Sequence, residues 1–335
     1  MGKRITFNKT GYEPFIDFIK AYAIICVLLG HTFPYLHETG YSLWYGMQVP
    51  LFLLVQCFHC FKQDKPSFSI KKVVWRVLFP FLFIQILLLV IILCKGKEQN
   101  TNVVLGNFIM YGGSGPGAYY PWIYVQFAIL LPIVKPWFDK GSKSQIAIVS
   151  IAVCASLEVF SAIINLPDFV YRLLAARYIF LAYFGWVWVH DGIVINRKTL
   201  FLSFLSMIAI IYFDYYYVNT EPLFYNTSWR THRWPCYYYV AILLTYLLYL
   251  IYHTNRIRCI ERATKMLARC SYEIFLIQMA VIALCPSFNF IANTPARSIT
   301  KFILIWGVSI VGGYFFYIIY NKLTKSIIRH RDDKV

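Results

Sequence analysis

The sequence predicts an all-α, polytopic membrane helical bundle with about ten transmembrane helices, and three observations lead to that prediction. First, 59% of the 335 residues are hydrophobic, only 14% are charged and the mean hydropathy is +0.57, whereas soluble domains carry about 25% charged residues. Second, apolar residues form runs long enough to cross a bilayer, which takes about 20 residues of helix. Third, Lys and Arg collect between alternate runs. Because no repeat or linker divides the chain, residues 1–335 are predicted to form a single domain.

Ten apolar runs are predicted to span the membrane. The gaps on one side of them, together with both termini, carry 21 cations, and the gaps on the other side carry 5. Since Lys and Arg are retained on the cytoplasmic side, both termini are predicted to be cytoplasmic. Retention of cations on the cytoplasmic side also explains the net charge of +17, so no nucleic-acid partner is expected. The expected partner is the lipid bilayer, and the expected location is the cell (inner, cytoplasmic) membrane. The predicted spans are 14–36, 41–61, 73–94, 119–138, 144–164, 172–190, 199–218, 236–252, 267–285 and 300–321.

Two long outer loops are predicted between these spans. Residues 95–118 end in a Gly-Gly-Ser-Gly-Pro-Gly run, which indicates a turn. Residues 219–235 hold a cluster of aromatic and cationic side chains that suits a sugar ring, although an interfacial aromatic belt is the alternative. The candidates for sugar binding in this loop are Trp229, Arg230 and Arg233.

The first predicted span carries three ionisable residues in an otherwise apolar run. Asp17 and Lys20 lie three apart, on one helix face, and can neutralise each other. His31 follows Asp17 by 14 positions, which is roughly 21 Å along a helix axis. Ionisable groups within a membrane are costly to desolvate, so they suggest function. A structural, hydrogen-bonded histidine at the helix end is the alternative for His31.

Several further segments, in chain order, complete a pattern with this first span. They are Val49-Pro50-Leu51-Phe52, the basic stretch 71–80 with Lys72 and Arg76, Trp122 with Leu130-Leu131-Pro132, Arg177-Tyr178 followed by Gly185, and the stretch 270–276. The ordered set resembles the acyltransferase 3 family, integral membrane enzymes that move acyl groups from acyl-CoA onto sugars. The chain departs from that pattern where Lys20 replaces the usual arginine, Gln56-Cys57 replaces Ser-Gly, and Gln278 stands where a histidine is frequent.

The resemblance implies a membrane-bound O-acyltransferase, most simply an O-acetyltransferase, acting on a hydroxyl of a cell-surface polysaccharide or lipid-linked sugar. Its donor would be acyl-CoA, such as acetyl-CoA, with no permanently bound cofactor and no metal. An alcohol is a poor nucleophile at neutral pH, so transfer needs a base, and His31 is the candidate. Lys20, Lys72 and Arg76 are candidates for holding the CoA phosphates, with positive-inside anchoring as the alternative for each of them.

Other ionisable residues within predicted spans complete the candidate site. Asp17 joins His31 among the catalytic candidates. Glu158 is the alternative candidate for the base if His31 does not act as one. An ion pair between Glu158 and Arg177 is expected on desolvation grounds, with simple helix pairing as its alternative role. Arg172, Arg177 and Trp122 are candidates for substrate binding.

A transporter or flippase for a sugar or lipid-linked intermediate is the alternative function. About ten spans with a few buried charges fit that class as well. Transporters commonly show internal repeats and Gly/Pro-broken spans in matching halves, and the sequence shows neither. The enzyme is therefore the favoured interpretation.

Overall fold

The structure is a computed structural model that describes residues 2–7, 11–32, 41–44, 46–66, 68–94, 98–215, 234–254, 258–284 and 295–332. Helices dominate it, with one antiparallel strand pair in which β1 (Lys3–Ile5) aligns with β2 (Ile193–Ile195). The α-helices are α1 Pro14–Thr32, α2 Tyr41–Trp44, α3 Gln48–Phe61, α4 Ile70–Val73, α5 Phe79–Cys94, α6 Glu98–Tyr111, α7 Tyr120–Lys140, α8 Lys143–Ile163, α9 Asp168–Leu173, α10 Phe180–His190, α11 Arg197–Tyr215, α12 Thr245–Thr254, α13 Arg258–Arg269, α14 Ser271–Leu284 and α15 Pro295–Asp332.

Within the described residues, six helical segments are long and apolar enough to cross a membrane, and a bent pair makes a seventh. This confirms an all-α, multi-pass membrane protein. The other three predicted spans are helical but differ in form: α3 has 14 residues, the run 172–190 is broken, and α11, with 19 residues, is not among the six. Ten spans and cytoplasmic termini stay predictions. The six segments are Pro14–Thr32, Ile70–Ile91, Tyr120–Lys140, Lys143–Ile163, Trp234–Thr254 and Phe302–Thr324.

Helix α1 lies at the centre of the bundle. Half of the 18-residue apolar stretch of α1 is buried by other parts of the chain. Only 17% of the corresponding stretch of α15 and 22% of that of α8 is buried. The remaining apolar surface of α8 and α15, such as Ile148 and Phe315, is exposed. Lipid is the environment that such continuous apolar surface requires. Helices α8 and α15 therefore form part of the bundle periphery, and α1 is placed to line an internal site.

The predicted span 172–190 is interrupted by an extended residue, Leu174, between α9 and a 3₁₀ turn at Ala175–Tyr178. A break inside a membrane leaves backbone groups that need partners. Gln126 of α7 supplies them: its Nε2 donates to the Leu173 carbonyl at 2.6 Å, and its Oε1 accepts from the Ala175 amide at 3.0 Å. The break is thus held by a side chain from a neighbouring helix.

The predicted outer loop 95–118 contains α6 and then a glycine turn that folds into the bundle. Gln85 of α5 holds the turn, accepting from the Ser114 amide at 2.8 Å and donating to its carbonyl at 3.1 Å. Gly112 has φ +76°, and a Cβ there would lie 2.7 Å from the ring of Trp122. Only glycine tolerates both conditions easily. Pro116 and Gly117 of this turn line the cavity described next.

Candidate active site

A cavity of about 1100 Å³ runs through the bundle beside α1. Lys20, Val27 and His31 of α1 all line it. His31 follows Lys20 by 11 positions of helix, which corresponds to about 16 Å along the axis. The cavity therefore extends over much of the thickness of the apolar bundle. It joins a cationic opening to a region that contains a histidine.

Four cationic residues surround the opening, which we call the basic mouth: Lys20, Lys72, Arg76 and Arg269. Lys72, Arg76 and Arg269 are exposed. Three of these four were predicted from the sequence to bind the donor. Their grouping around one opening brings together positive charge from α1, α4, the following helical turn and α13.

Arg76 is positioned by a π-helical turn at Val74–Leu78, between α4 and α5. Such a turn shifts the helix register and leaves carbonyl groups with unsatisfied hydrogen-bonding capacity. Two tyrosine hydroxyls bind these carbonyls: Tyr320 donates to the Trp75 carbonyl, and Tyr272 donates to the Val77 carbonyl at 2.8 Å. The turn that carries Arg76 is therefore fixed by α14 and α15.

Arg269 and Glu273 line the cavity but were missed by the sequence prediction. They lie on either side of a 66° bend between α13 and α14. Burial makes the Lys20 charge costly, and the nearby Asp17 and Glu273 carboxyls partly offset that cost. The charge of Glu273 inside the predicted span 267–285 was the available signal, since an ionisable residue in such a run suggests function.

At its other end, which we call the histidine end, the cavity is lined by His31 in the last turn of α1. Gln278 of α14 lies beside the ring, with its Nε2 atom 2.8 Å from His31 Nδ1 and 3.5 Å from the Val27 carbonyl oxygen. Only 1% of Gln278 is exposed. The adjacent Thr32 accepts a hydrogen bond from Trp306 Nε1 at 3.2 Å. Contacts from α14 and α15 therefore fix the end of α1 that carries the histidine.

An aromatic and arginine cluster adjoins the histidine end. The guanidinium groups of Arg172 and Arg177 each lie 5.3 Å from the ring centre of Tyr119, and Arg177 is also 4.5 Å from the ring of Tyr178. These separations are within the range of cation–π attraction. Arg172 lines the cavity, as does Tyr119, whereas Arg177 is 4% exposed and does not appear among the lining side chains of the described chain.

Glu158 lies behind this cluster. It is buried, and the Tyr171 hydroxyl donates a hydrogen bond to its Oε1 atom. The Arg177 guanidinium lies 5.8 Å from the centre of the same Tyr171 ring. Glu158 and Arg177 are thus brought to one tyrosine, while the direct ion pair between them stays a prediction. Within the described residues, Glu158 does not line the cavity.

The remaining predicted residues lie elsewhere. Asp17 accepts a hydrogen bond from Tyr12 at 2.5 Å and lines a neighbouring cavity of about 500 Å³, which shares His59 and Gln63 with the first. Partial burial and this hydrogen bond raise the pKa of Tyr12. Trp122 donates to the Gly112 carbonyl at 2.6 Å and so supports the glycine turn. Trp229, Arg230 and Arg233 lie outside the described residues, and their roles stay predictions.

The sequence model of the acyltransferase 3 family, described as an acyltransferase domain, matches residues 13–321. That range includes every residue of the basic mouth and of the histidine end. No match to the chain is found among curated proteins or among solved structures. A match over most of the chain, on a multi-pass helical bundle, establishes membership: the chain belongs to the acyltransferase 3 family and is a membrane acyltransferase.

Proposed function

We propose that the protein is an acyl-CoA-dependent O-acyltransferase that transfers an acyl group, most simply acetyl, to a hydroxyl of a cell-surface polysaccharide or lipid-linked sugar. One observation carries this proposal: a single cavity joins four cationic side chains to His31 across the bundle. CoA combines a phosphorylated head with a long, flexible pantetheine arm that ends in the thioester. Phosphates suit an exposed cationic opening, and the arm is long enough to carry the thioester from that opening toward a base.

In the proposed reaction, His31 accepts the proton of the acceptor hydroxyl as the hydroxyl oxygen attacks the thioester carbonyl. The new C–O bond forms, the C–S bond breaks, and the electron pair leaves with the CoA sulfur. The imidazolium of His31 then returns its proton to that sulfur, which yields CoA thiol and the sugar ester. A base positioned in this way contributes typically 10²- to 10⁴-fold to the rate.

The acceptor sugar is proposed to enter at the histidine end. Tyr119, Arg172 and Gln48 line the cavity there, and they offer an aromatic face, a guanidinium and an amide. Aromatic rings flanked by hydrogen-bond donors suit a sugar ring. Trp229, Arg230 and Arg233 are proposed to extend this surface from the loop 219–235.

We further propose that the protein lies in the cell (inner) membrane with both termini in the cytoplasm, so that the basic mouth faces cytoplasmic acyl-CoA. Single cysteines introduced at 62–72 and at 219–235, in a background without exposed native thiols, test this by labelling with a membrane-impermeant maleimide. Labelling of the two regions from opposite sides is expected. Labelling from the same side contradicts the topology.

The function is tested by adding acetyl-CoA to the purified protein with and without oligosaccharide or lipid-linked sugar acceptors. Free CoA thiol and acetylated sugar, detected by mass spectrometry, should appear together and in equal amounts. A transporter or flippase would instead move the sugar across a vesicle membrane without releasing CoA. Sugar transport without acyl transfer in the same preparation contradicts the proposal.

A further inference from the structure

The side chain of Gln278 is hydrogen-bonded to the ring of His31. Its Nε2 atom lies 2.8 Å from His31 Nδ1, while its Oε1 atom is buried and has no hydrogen-bond partner among the described residues. A buried acceptor without a partner is unfavourable, because its lost hydration is not replaced. The amide therefore has an unused acceptor beside a ring that can donate.

The orientation of the amide decides which ring nitrogen can act as a base. In neutral imidazole one nitrogen donates and the other accepts. When the Gln278 NH₂ group donates to Nδ1, the ring proton lies on Nε2, so Nε2 cannot accept the proton of a hydroxyl. When the amide oxygen faces Nδ1, that nitrogen carries the proton and Nε2 keeps a free lone pair.

A half-turn of the amide about its terminal bond exchanges these two arrangements. The turned amide gives Oε1 a donor, the Nδ1–H group of His31. It gives up the contact of Nε2 with the Val27 carbonyl oxygen, a 3.5 Å approach at the limit for a hydrogen bond, and places the NH₂ group where Oε1 had been. The turned amide also accepts from the imidazolium that forms during transfer, since both ring nitrogens then donate.

We propose that Gln278 is the positioning residue of His31: its amide oxygen binds Nδ1–H and so presents Nε2 of the ring as the base. This inference rests on the proposed function, in which His31 takes the hydroxyl proton. Gln278 does not touch substrate in this scheme. It acts through the tautomer and the orientation of the histidine.

Two substitutions of similar size separate an acceptor from a purely structural side chain. Gln278→Glu, ionised beside the ring, supplies only acceptors toward Nδ1, so turnover with acetyl-CoA and the sugar acceptor should stay within about threefold of the parent. Gln278→Met fills the same space without an oxygen acceptor, so kcat should fall on the order of 10- to 100-fold while the KM for acetyl-CoA is unchanged. Retained kcat in Gln278→Met, or a folded but inactive Gln278→Glu, overturns the inference.

A His31→Gln variant measured alongside distinguishes the role of His31 from the role of Gln278. If His31→Gln keeps turnover, the assignment of His31 as the base in the proposed function fails. If it loses turnover while Gln278→Met keeps it, only the role of Gln278 fails. Solid-state NMR of ¹⁵N-histidine-labelled Gln278→Glu, with the His31 signals identified by their loss in His31→Gln, gives a readout without any acyl transfer. An Nδ1-protonated neutral ring is expected, and an Nε2-protonated ring in that variant overturns the inference.

Discussion

The basic mouth and the histidine end belong to one cavity, yet they hold their polar side chains differently. Lys72, Arg76 and Arg269 are exposed at the mouth, whereas His31 is bonded to a glutamine that is 1% exposed. Charged side chains in water contribute modestly and are screened by salt. A hydrogen-bonded group in a dry interior is held in one geometry. The mouth is thus suited to capturing a hydrated, flexible anion, and the histidine end to orienting a reaction.

The largest effect is expected at the histidine end, from His31→Gln. Glutamine keeps a similar size and hydrogen-bonding capacity but cannot accept a proton near neutral pH. Turnover should fall about 10²- to 10⁴-fold, while acetyl-CoA binding is unchanged, because the mouth is intact. Turnover and isothermal titration of acetyl-CoA with the same purified protein measure the two quantities.

The matched control is His190→Gln. His190 is bonded to the Trp186 carbonyl at 2.9 Å through Nδ1 and does not line the cavity within the described chain. Its replacement should leave turnover within about twofold of the parent. Near-parental turnover in His31→Gln would show that His31 is not the base, and Glu158 would be the next residue to replace.

The glycine turn beside the histidine end gives the next largest effect, on stability rather than on chemistry. In Gly112→Ala the new Cβ meets the Trp122 ring at 2.7 Å, in a backbone conformation with φ +76°. The left-handed conformation alone costs about 1–2 kcal/mol for a residue with a Cβ. We expect a lower thermal unfolding temperature in detergent, measured by light scattering or intrinsic fluorescence.

Gly106→Ala is the matched control for this turn. Gly106 lies in α6, and a Cβ there meets nothing within 4 Å. Alanine is favoured over glycine in a helix by about 0.5–1 kcal/mol, so this variant should be at least as stable as the parent. Equal unfolding temperatures for the two alanine variants would contradict the described packing of the turn.

Long apolar runs were the predictable part of this fold, and breaks within them were not. The sequence located α1, α7 and α8 because a membrane helix satisfies its own backbone hydrogen bonds and needs only apolar length. The break at Leu174 depends on Gln126, 48 positions earlier in the chain, and no local pattern reveals such a partner. The π-helical turn at Val74–Leu78 likewise depends on distant tyrosine hydroxyls.

The candidate site likewise contains residues that the sequence predicted and residues that it did not. His31, Lys20 and Arg76 were predicted from charge in apolar runs and from the family pattern, and all three line the cavity. Arg269 was counted only among the 21 cations of the cytoplasmic gaps, because the bend beside it is a tertiary feature that the sequence does not reveal. Gln278 is uncharged, so its place in an apolar run did not mark it as a candidate site residue. Its contact with His31 is seen only in the three-dimensional structure.

At the basic mouth, Arg76→Ala should weaken acetyl-CoA binding about 5- to 10-fold, near the lower end for a charge-assisted contact, because the side chain is exposed. The kcat at saturating donor should be unchanged. The effect should shrink at high salt, since the Debye length falls from about 8 Å at 0.15 M to about 3 Å at 1 M. Titration of acetyl-CoA at the two salt concentrations measures it. A loss of kcat without a loss of affinity would contradict the division between the two ends.

Lys72 and its neighbour Lys71 provide the smallest and most discriminating comparison. Both are exposed residues of α4, but only Lys72 lines the cavity among the described residues. A lysine on a flexible stem in water adds little to a bound complex, so Lys72→Ala should change the equilibrium affinity by no more than about threefold. Its charge at the opening should instead guide the anion, so the association rate should fall more than that of Lys71→Ala at low salt. Stopped-flow measurement with a fluorescent acyl-CoA at two ionic strengths resolves this. Equal association rates for the two variants would assign Lys72 to membrane anchoring, and the basic mouth would then consist of Lys20, Arg76 and Arg269.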